Sequence, residues 1–111
     1  MDKEQAMKFM CDLLRLMLSK KASDLFITAG FPPAMKIDGK MTPVSQQPLS
    51  AQHTEMLAKA IMNDAQCAEF ETSKEANFAI NPTGIGRFRV NTFVQQQRGG
   101  LVLRTITTKI P

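Results

Sequence analysis

A chain of 111 residues with 43% hydrophobic and 22% charged residues is long enough for one buried core and too apolar for a disordered segment. The formal net charge of +4 is unevenly placed: all ten Asp and Glu lie at or before Glu75, and only Arg87, Arg89, Arg98, Arg104 and Lys109 are charged beyond it. Cys11 and Cys67 lack CxxC spacing and His53 is the lone histidine, which argues against a metal cluster or a disulfide scaffold. No run approaches a membrane span or shows signal-peptide order, so the expected setting is the cytoplasm.

From Asp2 to Lys20 the residues Met7, Met10, Leu13, Leu14 and Met17 recur at helical spacing, flanked by Phe9, Leu16 and Leu18. Asp2 and Glu4 at the start and Lys20 and Lys21 at the end suit the helix dipole. Ala22 to Thr28 then reads as a short apolar strand, broken by Gly30, Pro32 and Pro33. Ala34 to Ile37 and Lys40 to Val44 flank Asp38-Gly39, a dipeptide that tolerates positive φ, so they form a two-residue hairpin with Lys36 facing solvent. Ser50 is a good N-cap for a helix over Ala51 to Met62, with Met56, Leu57, Ala60 and Ile61 on its buried face. His53 falls on a polar stretch of its first turn and is read as structural or solvated. Asp64 caps a second short helix to about Thr72, with Cys67, Ala68 and Phe70 as its apolar contacts.

Lys74 to Ile80 is a further strand, and Asn81-Pro82-Thr83-Gly84 is a turn by composition. It leads to Arg87 to Val94 and Leu101 to Ile106, two strands rich in β-branched and aromatic residues with Gly99-Gly100 between them. Alternation puts Phe88, Val90, Thr92 and Val94 on one face of the first strand and Arg87, Arg89, Asn91 and Phe93 on the other. In the second, Val102, Arg104 and Ile106 oppose Leu101, Leu103 and Thr105. Arginine is the better bidentate partner for phosphate or carboxylate, so this hairpin reads equally as an anion or interface site and as a solvated face. The element order predicts an α+β fold: an antiparallel sheet of about five or six strands, with the N-terminal helix and two further helices mainly on one face.

Phosphate-loop, dinucleotide, HExxH and GxSxG motifs are absent from the sequence. Asp64, Glu69, Glu71 and Glu75 are better explained as a solvated face than as paired acid and base groups. No catalytic residue and no metal ligand is assigned.

The succession ASDLFITAGFPP, KIDGKM, GRFRVNTF, RGG and LVLRTI closely resembles the N-terminal domain of the type IV pilus retraction ATPases, the PilT and PilU twitching-motility family. LFITAG is more similar to the PilU branch, since PilT-like sequences carry histidine in place of Phe26. The resemblance runs from about Met7 to Pro111. It implies a single PAS-like domain over 1–111, followed in the family by a RecA-like core that this chain lacks. It implies a hexameric motor that uses ATP and Mg when full length, while this fragment needs no cofactor and does no catalysis. The implied partners are the core of its own and neighbouring subunits, a partner retraction ATPase and the pilus platform, at the cytoplasmic face of the inner membrane. By the same resemblance Arg89, in Arg89-Val90-Asn91, and Arg104, in Leu101-Val102-Leu103-Arg104, approach nucleotide bound to the core. Arg87 and Arg98 are assigned to the nucleotide or to the subunit interface. A nucleic-acid-binding module is the rival reading, weakened because the chain has no Trp or Tyr to act as stacking platforms. A PAS-like ligand sensor is the second rival, weakened by the lack of a haem or flavin signature.

Overall fold

The computed structural model describes residues 2–95 and 98–106, with Gln95 and Arg98 described in backbone only. Helix α1 (Lys3–Ser19) starts at a capping box: the Asp2 carboxylate accepts from the Gln5 N–H, and the Gln5 side chain accepts from the Asp2 N–H. Its buried stripe is Ala6, Met10, Leu13, Leu14 and Met17. Ala6 replaces Met7 at the first position, and Met7 is half-buried at the margin. A left-handed residue, Lys21 at φ 55°, turns the chain into β1 (Asp24–Thr28).

Strands β2 (Ala34–Ile37) and β3 (Lys40–Pro43) form the expected hairpin, with Asp38 and Gly39 at φ 52° and 78° in its two-residue turn. Helix α2 (Ala51–Ala60) is capped by Ser50, whose hydroxyl accepts from the His53 N–H. The His53 side chain is exposed. Two expectations for this helix are corrected. It ends two residues before Met62, and Thr54 and Ala58 are buried with Leu57 and Ile61, whereas Met56 and Ala60 are only half-buried. Thr54 tolerates burial because its hydroxyl donates to the Ser50 carbonyl one turn back.

Helix α3 (Asp64–Ser73) is capped by Asn63, not by Asp64, through a reciprocal pair with Gln66. Phe70 is its one buried residue; Cys67 is half-buried and Ala68 is exposed, contrary to the expected trio. Lys59 ties α2 to α3 through Glu71 at 2.8 Å, with Glu55 at 3.0 Å on its own helix. Hydrogen bonds to Glu71 and then Glu55 hold the ammonium well above the usual lysine range, and Lys59 in turn lowers the Glu71 carboxyl.

Strands β4 (Glu75–Ile80), β5 (Phe88–Gln95) and β6 (Arg98–Thr105) complete one six-stranded antiparallel sheet in the order β3-β2-β1-β6-β5-β4. The core lies between the helices and one sheet face, where Leu25, Ile27, Met35, Phe88, Val90, Leu101 and Leu103 meet α1 and α2. The α+β expectation, with helices gathered on one face, therefore holds.

The glycine pair does not separate the last two strands. It lies inside β6, where Gly100 faces Phe93 on β5 and Thr28 on β1. The Phe93 ring covers this glycine so closely that an added Cβ would sit 2.8 Å from its Cζ, the arrangement in which an aromatic neighbour compensates for a strand glycine. Gly100→Ala is expected to displace that ring and cost about 1 kcal/mol in urea unfolding. In a Phe93→Ala background the same change should be neutral or stabilising, since alanine then only removes glycine's extra unfolded-state entropy. Equal costs in both backgrounds would show that the ring contact is irrelevant.

Candidate functional site

The sheet face away from the helices carries the arginines. Register places its residues in rows across the strands. One row runs Lys36, Asp24, Arg104, Arg89 over β2, β1, β6 and β5, and the next runs Ala34, Phe26, Val102, Asn91, Asn77 over β2 to β4. Phe26, Asn77, Arg89, Asn91, Val102 and Arg104 line a shallow cavity of about 420 Å³. Two guanidiniums, two carboxamides and an apolar floor thus share one concavity.

Arg89 and Arg104 stand directly opposite each other. Like charges so placed cost a few tenths to about 1 kcal/mol unless something offsets them. Asp24, on the other side of Arg104, does so in part: the Arg104 Nε donates to its Oδ1 at 2.7 Å, and the Ser23 hydroxyl donates to its Oδ2 at 2.8 Å. Arg89 is exposed, and among the described residues no carboxylate comes within 4.0 Å of it. The row therefore holds three cations to one anion and presents donors suited to a phosphate or carboxylate oxygen.

Of the four arginines singled out by sequence, the fold brings Arg89 and Arg104 into one cavity. Arg87 is exposed one residue before β5, and its carbonyl accepts from the Ile106 N–H, so it belongs to the approach to the strand and not to the cavity lining. The reading of Arg98 falls on a side chain outside the described residues. Sequence reasoning missed Asp24, Phe26, Asn77 and Asn91 as members of the site. A carboxylate at the head of the otherwise apolar run Asp24-Leu25-Phe26-Ile27 was the available signal for the first. Among the described residues no group of three or more His, Cys, Asp or Glu could hold a metal, both cysteines are free, and no helix is long and apolar enough to cross a membrane.

No family model matches the chain. Individual proteins do. The type IV pilus ATPase PilU of Pseudomonas aeruginosa is 52% identical over 99 residues, covering 89% of this chain and 26% of that protein. The type IV pilus retraction ATPase PilT of the same organism is 38% identical over 99 residues, covering 89% and 29%. A crystal structure of the pilus retraction motor PilT with bound ADP superposes with a TM-score of 0.83 at 31% identity, over 91% of this chain and 30% of that one. The chain thus spans between a quarter and a third of the length of the relatives it matches.

A helix-backed antiparallel sheet with this order matches the fold of the N-terminal domain of PilT. Over about nine tenths of its length the chain is similar in sequence to PilT and PilU, and its identity is higher to the PilU sequence than to the PilT one.

Proposed function

We propose that this chain is the non-catalytic N-terminal module of a hexameric type IV pilus retraction motor of the PilU kind. In this reading its open sheet face turns toward a RecA-like ATPase core, of its own or a neighbouring subunit, and carries Arg89 and Arg104 to the phosphates of ATP and Mg bound there. The carrying observation is the juxtaposition of those two guanidiniums in one cavity on the face the helices leave bare. Phosphoryl transfer asks for charge stabilisation and little covalent work, which arginines brought in by domain closure supply. The bound ADP of the PilT structure is consistent with a nucleotide-using motor. The motor would work at the cytoplasmic side of the inner membrane, beside the pilus platform and a partner retraction ATPase, and nucleic acid is not among its partners.

The test is turnover. The purified chain should release phosphate from Mg-ATP at the buffer rate, and the same chain joined to a RecA-like core should release it catalytically. Hydrolysis by the chain alone that persists through stringent purification would overturn the reading. Tight binding of a single-stranded oligonucleotide that weakens steeply with salt would replace it with a nucleic-acid module.

A further inference from the structure

We infer that Asp24, held by Ser23, is the positioning residue of the two-arginine site, an inference that rests on the anion-facing reading of that face. The geometry differs from that of an ordinary surface ion pair. Asp24 is only 9% exposed at its side chain, while Arg104 is 72% exposed. The bond between them is made at Nε, close to the arginine stem, and reaches Oδ1 at 2.7 Å. A guanidinium has five N–H donors. Use of the Nε–H leaves the four donors on the two terminal nitrogens outside that bond, and Arg89 stands opposite Arg104 across the strands. The carboxylate itself is fixed from behind, since the Ser23 hydroxyl donates to Oδ2 at 2.8 Å and β1 is paired on both sides.

Three consequences follow from this placement. Arg104 loses rotamer freedom before any ligand arrives, and the cost of ordering a long side chain is then not charged to binding. The Asp24 charge offsets the repulsion between Arg104 and Arg89 across the strands, so both can remain side by side while the cavity is empty. The carboxylate also lies below the surface at the edge of the cavity and does not line it, so an incoming anion can meet the terminal nitrogens without displacing Asp24. The chemical class of ligand is an oxyanion with at least two oxygens to share between the guanidiniums, such as a phosphoanhydride.

The experiment titrates inorganic pyrophosphate into the purified chain and follows the Arg104 Nε–Hε signal by nuclear magnetic resonance. In the wild type that signal should be shifted and slow to exchange before ligand is added. Asp24→Ala should return it to the position of a free arginine and weaken pyrophosphate binding about fivefold, the size expected for reordering one long side chain. Asp24→Asn, which keeps an oxygen acceptor for Nε, should preserve the signal and bind at least as tightly as the wild type. Ser23→Ala, which leaves the carboxylate in place, should loosen the signal and weaken binding about twofold, and it carries the comparison if Asp24→Ala does not fold. Binding that is unchanged or tighter in Asp24→Ala or Ser23→Ala would overturn the inference and make Asp24 a competitor of the ligand. If the wild type, Arg89→Ala and Arg104→Ala all bind pyrophosphate equally or not at all, the anion-facing reading falls and the inference with it.

Discussion

Arg89→Ala, in a protein that joins this domain to an ATPase core of the proposed kind, is expected to slow ATP turnover about a hundredfold. Loss of one preorganised donor to developing phosphoryl charge is worth about 3 kcal/mol of barrier. The effect should fall on the catalytic rate more than on nucleotide affinity, because the proposed contact would be made only when the domains close. The isolated domain should melt at the wild-type temperature or slightly above it, since Arg89 has no carboxylate within 4.0 Å among the described residues and faces a like charge on Arg104. Arg104→Ala should slow turnover to a similar extent, but its stability effect differs. It strips the nearly buried Asp24 of a 2.7 Å bond and leaves only Ser23, at a cost of about 1–2 kcal/mol. Adding Asp24→Asn to Arg104→Ala should recover most of that stability and none of the turnover. Full turnover in both single variants would remove these arginines from the nucleotide and leave subunit packing as their role.

Phe88→Ala should be among the most destabilising single changes in the domain. Phe88 is the largest of the fully buried side chains. It sits at the start of β5 opposite Ile80 and Thr105, within the cluster formed with α1 and β6. Its truncation removes transfer energy and leaves a cavity that a paired strand cannot close, for about 3–5 kcal/mol. Against a total of about 5–15 kcal/mol for a domain, that is enough to lower the melting temperature by more than about 10 °C. Urea unfolding should show a lower midpoint with an unchanged slope. Phe31 provides the control: it is 59% exposed, and its truncation should stay within about 0.5 kcal/mol. A Phe88→Ala cost below about 1.5 kcal/mol would mean that the core can collapse around the missing ring and that the face assignment of β5 is wrong.

The arginine face of the site was legible because alternation along a strand is a local rule. With the period of two, Arg89 and Asn91 had to face away from Phe88, Val90 and Thr92, and the buried pattern of β5 follows it. The Asp38-Gly39 turn and the Ser50 cap were equally local, each set by the φ or hydrogen bond that one or two residues can supply. The motif succession that resembles the retraction ATPases was likewise readable in the chain, and the PilU and PilT identities agree with it.

What the tertiary structure decided was which strands are neighbours. Insertion of β1 between β2 and β6 places Asp24 against Arg104 across 80 positions of sequence, and no local pattern states which of six strands an isolated carboxylate will lie beside. The glycine pair was misplaced for the same reason. Taken alone, Gly99-Gly100 is a turn signal, and it becomes part of β6 only because Phe93 covers Gly100 and both β1 and β5 pair with it. Thr54 and Ala58 on α2 are buried because the helix packs on α1 and β6 along a face rotated from its most apolar one. Periodicity records where apolar side chains could be hidden, and the packing of non-neighbouring elements chooses among the faces offered.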